Sequence, residues 1–287
     1  MSKFSFFSQN LLIQARGRLL DLSRPIVMAV INLSRDSFHA GSISRSEDDL
    51  IQRVEQLTLD GTRILDLGAA SSRPGAPDVP AEEEWQLLHP ALRVVRRTFP
   101  ELWISVDTFH ASVARNAALE GCDIINDISG GLRDPKMFAE VAAAGLPYII
   151  MHMRGDSLTM SRENHYTNMV LEIMQFFNER IAAARAGGVG DIILDPGFGF
   201  SKVHLQNFEL LAGLHNLRLC GYPLLAGLSR KSLIQKLLGT TAEGSLNGTT
   251  ATNMLALVEG ASILRVHDVR EAVETIKIFE AYQGAEA

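Results

Sequence analysis

Asp191-Ile192-Ile193-Leu194-Asp195-Pro196-Gly197-Phe198-Gly199-Phe200 is the stretch from which the fold can be read. A short apolar strand from Asp191 to Leu194 runs into a carboxylate, and a proline and two glycines then stop the strand and bend the backbone. An amphipathic helical pattern follows from His204 to Leu214, so strand, polar turn and helix make one β–α unit. The turn also carries chemistry. A carboxylate at a strand exit can accept two parallel N–H bonds from a flat, nitrogen-rich ring while phenyl rings wall the pocket. The plainer alternative is that Asp195 caps an ordinary strand-to-helix turn.

The same rhythm recurs along the chain. Apolar strands are expected at Ile26–Asn32, Arg63–Gly68, Trp103–Thr108, Asp123–Ile128, Pro147–Met153, Asp191–Pro196, Pro223–Ser229 and Ser262–His267. Helical patterns fall between them: Ser46–Asp60, Ala81–Thr98, Ala111–Glu120, Pro135–Ala144, Asn164–Ala186, His204–Leu214, Lys231–Leu238 continuing at Ser245–Glu259, and Val269–Tyr282. Eight such units with near-continuous apolar strands imply a parallel sheet covered by helices, and eight is the number that closes a (β/α)8 barrel of the TIM type. An open doubly wound sheet is the structural rival. Leu11 to Leu20 reads as an N-terminal β-hairpin turning at Arg16-Gly17 and plugging the barrel bottom. With no Pro/Ser/Gly-rich linker, one domain is expected over residues 1–287, with the hairpin at about 11–24 and the barrel at about 25–283.

A net charge of −6 gives no global basic field, which argues against nucleic acid or an anionic membrane surface as partner. Any anion must be held by local cations. The two cysteines, Cys122 and Cys220, lie far apart at or near apolar strands and read as free thiols, with no zinc-type spacing and no disulfide scaffold. There is no cleavable signal pattern and no apolar run long enough to span a bilayer, so a reducing cytoplasm is the expectation.

A barrel of this kind places its chemistry at the C-terminal ends of its strands. Those ends carry Asn32; Ser71-Ser72-Arg73-Pro74-Gly75 after strand two; Asp107; Asn126-Asp127; Met151-His152-Met153; Asp195; Ser229-Arg230-Lys231-Ser232; and Arg265-Val266-His267-Asp268. Asp107, Asn126, Asp195 and Lys231 form a mixed donor–acceptor set that suits a heterocycle bearing an amino group, a ring N–H and a carbonyl. Asn32, Arg73, Arg265 and His267 form a second set suited to phosphate, in which the neutral Asn32 oxygen is a plausible Mg²⁺ ligand.

Taken in this order, these stretches resemble the dihydropteroate synthase family. The resemblance runs from about Arg24 to Tyr282 and is carried by Ile31-Asn32-Leu33-Ser34-Arg35-Asp36-Ser37-Phe38, the Ser71–Gly75 loop, Ile104-Ser105-Val106-Asp107-Thr108, Ile125-Asn126-Asp127, Met151-His152-Met153, the Asp195–Phe200 run, Ser229–Ser232 and Arg265–Asp268. It implies a transferase that joins 6-hydroxymethyl-7,8-dihydropterin pyrophosphate to p-aminobenzoate, giving 7,8-dihydropteroate and pyrophosphate in folate biosynthesis, with Mg²⁺ as cofactor and sulfonamides as inhibitors. It implies that Asp107, Asn126, Met151, Asp195, Gly227 and Lys231 bind the pterin, and that Arg265 stacks on the pterin and holds phosphate with His267. By the same resemblance Asn32 stands on the metal side and Ser72 and Arg73 contact phosphate and the incoming amine. Phe38, Pro74, Phe200, Lys231 and Ser232 wall the p-aminobenzoate site. Catalysis by Lys231, Arg265, His267, Arg73 and Asp107 then consists of positioning and leaving-group stabilisation, without a nucleophilic side chain. A homodimer through C-terminal barrel helices is also implied, with Val273, Ile276 and Phe279 as apolar candidates that could equally face the barrel.

The chain departs from the family in two loops. After Phe38 it reads His39-Ala40-Gly41-Ser42 where Ser-Asp-Gly-Gly is usual, and Arg35 replaces a proline. Before Arg73 it reads Ala69-Ala70-Ser71-Ser72 where Gly-Glu-Ser-Thr is common. Two loop carboxylates are thus absent, at Ala40 and Ala70, while the pterin set is intact.

Several polar residues have ordinary readings. Asp127 and Asp268 are expected to cap helices, and Asp36 to cap or pair. His152 reads as a satisfied interior histidine, His204 and His215 as surface residues, and Lys202 as solvated, with contact to the rim as its alternative. Glu82-Glu83-Glu84 reads as an acidic first turn favouring the helix dipole. No buried acid partner for Arg265 stands out. Two other functions share parts of the pattern. A pterin-binding methyltransferase barrel would keep the Asp/Asn set but not need the Arg73 loop or the Arg265/His267 set. A non-catalytic pterin-binding barrel would keep binding and lack turnover.

Overall fold

The computed structural model describes residues 11–33, 43–69, 78–160 and 162–285, with the side chains of residues 43–46 and 204 left aside. Phe38, Ser72, Arg73 and Pro74, like Asp36, Ala40 and Ala70, lie outside the described residues.

Strands β1 (Leu12–Ala15) and β2 (Arg18–Asp21) form the expected hairpin. Its two turn residues, Arg16 and Gly17, have φ of 52° and 74°, the paired left-handed conformation of a two-residue hairpin loop whose twist matches the flanking strands. Ile13, Ala15, Leu20 and Leu22 are buried in the main core. The Gln14 N–H donates to Asp191 Oδ2 at 2.8 Å, and the Arg18 guanidinium lies 5.0 Å from the Trp103 ring centroid. Asp191, Trp103 and Asp123 all sit where barrel strands begin, so the hairpin closes the end opposite the functional rim.

The barrel strands are β3 (Ile26–Asn32), β4 (Ile64–Gly68), β5 (Trp103–Asp107), β6 (Ile124–Asp127), β7 (Tyr148–Met151), β8 (Ile192–Asp195), β9 (Leu225–Ala226) and β10 (Ile263–Val266). They are parallel and hydrogen-bonded in the order β8-β7-β6-β5-β4-β3-β10-β9, and a single bridge between Leu194 and Leu224 joins the two ends. This is the (β/α)8 barrel, and the open-sheet rival is set aside. Strand β4 is buried along its whole length, as a parallel strand covered on both sides requires. β9 is far shorter than its apolar run suggested. Pro223 has no N–H to give the ladder, and beyond Gly227 the chain turns so tightly that Lys231 N–H reaches Leu228 O at 3.2 Å.

The covering helices are α1 (Ile43–Leu59), α2 (Ala81–Thr98), α3 (Ala111–Leu119), α4 (Met137–Ala144), α5 (Met169–Ala186), α6 (His204–Ala212), α7 (Leu214–Leu217), α8 (Ser232–Leu238), α9 (Leu246–Val258) and α10 (Val269–Ala285). α5 starts later than its pattern suggested because the Asn168 side chain caps it, accepting from Leu171 N–H at 3.1 Å.

Glu82, Glu83 and Glu84 form the expected acidic first turn of α2, but the third of them is buried. Glu84 is only 1 % exposed, neither carboxylate oxygen has a hydrogen-bond partner among the described residues, and His110 Nε2 lies 3.6 Å away. Burial, with some like-charge repulsion from Asp107 and Asp127, raises its pKa from 4.5 to about 8. The folded state therefore binds this proton more tightly than the unfolded state does. The stability it contributes is present in full below about pH 4.5 and is lost as pH rises to about 8. Melting temperatures at pH 5 and pH 8 should fall more for the unsubstituted protein than for Glu84→Gln. Equal falls would show that Glu84 ionises freely.

Candidate functional site

Parallel register places the rim residues in one row. Asn32 and Asp107 are both Cα partners of Gly68, and Asp107 is in turn the partner of Asn126. Gly68 leaves a gap between them: a Cβ there would lie 3.4 Å from Asp107 Cβ and 3.8 Å from both Asn32 Oδ1 and Asp107 Oδ2. Further round the mouth, Met151 on β7 is the register partner of Asp195 on β8.

The row rests on a residue that sequence reading passed over. Asp66, in the middle of β4, is fully buried and one step below Gly68 on the same face. Its Oδ2 accepts from Arg265 Nε at 2.8 Å and from Asn126 Nδ2 at 3.2 Å, while Oδ1 has no partner among the described residues. Arg265 Nη2 also reaches Asp107 Oδ2 at 3.1 Å. The expectation that Arg265 has no buried acid partner is thus corrected: two carboxylates share it. The signal was present as a lone carboxylate inside the apolar run Ile64-Leu65-Asp66-Leu67. Burial and the like charge of Asp66 raise Asp107 to about 7 against the pull of Arg265, and for Arg265 itself the two carboxylates outweigh burial and raise its pKa. A double-mutant cycle of Asp66→Asn and Arg265→Ala, followed by denaturant unfolding, should give a coupling energy of about 1–3 kcal/mol. Additive effects would deny the pair.

Asp195 is almost completely buried, and its Oδ1 accepts the Gly197 N–H at 2.7 Å. Burial raises its pKa, opposed chiefly by Lys231. Gly197 is obligatory: its φ is +70°, and a Cβ would meet His152 O at 2.1 Å. Lys231 donates from Nζ to Phe198 O, and Nζ lies 4.6 Å from the Phe200 ring centroid. Burial lowers Lys231 to about 8 against the pull of Asp195. Gly227 keeps this corner open, since a Cβ there would stand 3.7 Å from Lys231 Nζ. Of the two phenylalanines in the turn, only the half-buried Phe200 is placed to be a wall; Phe198 is fully buried in the barrel core.

On the other side, His267 Nδ1 and Ser229 Oγ are 3.1 Å apart, and burial followed by the charge of Arg265 lowers the His267 pKa. Ser232 opens α8 directly after Lys231. Asp268 does not spend its carboxylate on a cap. It holds Arg230 through two bonds of 2.8 and 2.7 Å, and α10 is entered through its carbonyl. Asp127 is structural but not a helix cap: its buried carboxylate holds the turn before α4, accepting from Ser129 and Gly131 N–H and from the Tyr148 hydroxyl. His152 is buried, and His215 is exposed and paired with Glu259. Lys202 is not solvated: it is buried against His152 behind the glycine-rich turn. Among the described residues no three His, Cys, Asp or Glu side chains gather as a metal cluster, and no helix is long and apolar enough to cross a membrane.

The comparisons with known proteins agree with this geometry. The family model of pterin binding enzymes matches residues 28–267. The chain is 40% identical over 273 residues to a dihydropteroate synthase of Escherichia coli (strain K12), covering 94% of this chain and 96% of that one. It also superposes on the dihydropteroate synthase of Yersinia pestis, solved with a sulfonamide drug, with a TM-score of 0.89, 37% identity, and coverage of 95% of this chain and 99% of that one. For the enzyme of Xanthomonas albilineans, solved with 4-aminobenzoic acid, the TM-score is 0.87 at 38% identity, covering 95% and 98%. Alike over almost its whole length to these enzymes and matched from residue 28 to residue 267 by the family model, the chain belongs to the dihydropteroate synthase family of pterin-binding transferases.

Proposed function

We propose that the chain condenses 6-hydroxymethyl-7,8-dihydropterin pyrophosphate with p-aminobenzoate. The observation that carries this is the buried acceptor Asp195 at the end of β8, with the Lys231 ammonium held by Phe198 O of the following turn and Gly227 beside that ammonium. Asp195 accepts the amino and ring N–H pair of the pterin, Lys231 donates on its carbonyl side, and Asn126 and Asp107 complete the ring's edge. Met151 and Gly227 supply flat, apolar space. Arg265 lies against the pterin and, with His267 and Arg73, holds the pyrophosphate. The carbon–oxygen bond to pyrophosphate breaks as the electron-rich pterin supports positive charge on that carbon. The neutral amine then attacks, forms the carbon–nitrogen bond and loses a proton to water. The side chains contribute alignment and charge stabilisation of the departing pyrophosphate. The test is release of pyrophosphate that requires both substrates. Binding of the pterin without release would leave a non-catalytic barrel.

Mg²⁺ fits this mouth. Asn32 Oδ1 stands beside the gap at Gly68 as a neutral hard oxygen, while Asp107 Oδ2 across that gap accepts from Arg265 Nη2 at 3.1 Å. The remaining ligands would be water and pyrophosphate oxygens, as this ion prefers. When bound, it supplies charge neutralisation for the leaving group.

Phe38, Pro74, Phe200, Ser232 and Ser72 form the p-aminobenzoate side of the proposal. Arg73 and Asn32 find their partners, phosphate and metal, only when pyrophosphate and Mg²⁺ are present. p-Aminobenzoate should therefore bind at least about tenfold more tightly to the complex with pterin, pyrophosphate and Mg²⁺ than to the free protein, about 1.4 kcal/mol. Paired calorimetric titrations decide it, and equal affinities would mean a preformed pocket. A sulfonamide, as an isostere of p-aminobenzoate, competes at the same place.

A homodimer through the C-terminal helices also forms part of the proposal. Ile276 and Phe279 face the barrel core, and Val273 packs against Gly61, so these are not the contact residues. The neighbouring helices α9 and α10 instead expose Leu255, Val258, Ile278 and Tyr282, which are the better candidates.

A further inference from the structure

Lys202 has every mark of a residue built into the site, yet it is not one of the groups assigned to a substrate. It is only 7% exposed. Its Nζ donates to Gly197 O at 3.0 Å and to Phe200 O at 2.9 Å, and it stands 3.0 Å from His152 Nδ1. Three acceptors match the three hydrogens of an ammonium group one for one. His152 Nδ1 must then be the bare nitrogen, with the ring proton on Nε2, and burial together with the charge of Lys202 keeps that ring neutral. The imidazole is itself held edge-on by Phe176, with ring centroids 4.9 Å apart.

What the ammonium grips is the turn from Gly197 to Phe200, at both ends. Between those ends, Phe198 O receives the Lys231 ammonium, and the Phe200 ring lies below the same Nζ. The residue after the turn, Ser201, is held at φ 46°, a conformation unusual for a side chain other than glycine. Its Oγ accepts Arg154 N–H at 2.9 Å and its carbonyl accepts the Tyr166 hydroxyl at 3.1 Å. The turn and the residue after it are thus clamped by Lys202, Arg154 and Tyr166.

We propose that Lys202, with His152 as its third acceptor, is a positioning residue for the condensation: it fixes the Gly197–Phe200 turn and so sets where the Phe200 ring meets the aromatic amine. This rests on the reading that Phe200 walls the p-aminobenzoate site. Steady-state kinetics of the full chain with both substrates tests it. Phe200→Ala checks the underlying reading and should raise the KM for p-aminobenzoate tenfold or more. Lys202→Met, which keeps the aliphatic stem, should do the same, while the KM for dihydropterin pyrophosphate moves less than threefold. His152→Leu removes the acceptor and should follow Lys202→Met, whereas His152→Asn restores an acceptor near the Nδ1 position and should recover most of the loss. If Lys202→Met does not fold, the two His152 variants carry the decision. A Phe200→Ala effect without one from Lys202→Met or His152→Leu overturns the clamp and leaves the site reading standing. An unchanged KM in Phe200→Ala removes the site reading and the proposal with it. Equal rises for both substrates, or no recovery in His152→Asn, make the pair merely structural and overturn the proposal.

Discussion

Replacing Asp195 by asparagine will weaken pterin binding by about 100-fold or more while leaving the apo protein's melting temperature close to its starting value. The substitution conserves shape, so the difference is chemical. Two carboxylate oxygens become one acceptor and one donor in a position that is almost completely buried. One oxygen already serves the Gly197 N–H, and an amide can still do that with its oxygen. The amide then presents its N–H₂ to the N–H groups of the ring. A buried donor facing a donor costs about 1–3 kcal/mol, and the lost charge-assisted bond adds to it. Lys231 would also lose the carboxylate that opposes its desolvation. Calorimetric titration with a pterin ligand measures the loss, and unchanged affinity would remove Asp195 from the site.

The largest effect on stability is expected at the other end of the barrel. Asp123 has no exposed side-chain surface, and its carboxylate accepts from Arg18 at 2.7 Å, from Arg96 at 2.5 Å and from the Ile104 N–H at 2.9 Å. Asp123→Ala strips the counter-charge from the partly buried Arg96 and orphans a backbone donor in β5. Breaking a buried pair from one side costs about 3–5 kcal/mol. At about 2–4 °C per kcal/mol for a domain of this size, melting should fall by roughly 6–20 °C. Activity per folded molecule at low temperature should hold, since the rim is at the opposite end. A loss below about 1 kcal/mol in urea unfolding would show that the other partners of Arg96, the carbonyls of Gly121, Pro100 and Leu102, suffice without it.

The barrel and most of its rim were legible because both follow from short-range rules. Apolar runs ending in Asn, Asp or Arg announce parallel strands, and the parallel arrangement puts all those ends on one side. The hairpin was legible from Arg16-Gly17 alone. What escaped depends on three-dimensional neighbours. Asp66 looks like an interruption of a strand until β10 brings Arg265 across to it. Lys202 looks solvated until the turn folds back over it, and Glu84 looks like a dipole-complementing acid until the β5–α3 turn at His110 covers it. Asp66 and Glu84 are charged residues buried by segments distant in sequence, and Lys202 is buried between its own turn and His152. β9 was overestimated for a local reason, because an apolar run containing Pro223 cannot pair along its full length.

The hairpin beneath the barrel has a consequence for time rather than for energy. Its two strands lie next to each other in sequence and can pair within microseconds. Its docking contacts are of another kind: Gln14 meets Asp191 across 177 residues, and Arg18 meets Asp123 across 105. During synthesis the hairpin leaves the ribosome before any barrel strand exists, and it must wait until β8 has emerged before its seat is complete. Throughout that interval Ile13, Leu20 and the underside of Trp103 are apolar surfaces without cover, and such separations in sequence are what slow a fold. A segment made before the strands it rests on is in this way one that can settle only after β8 has been made.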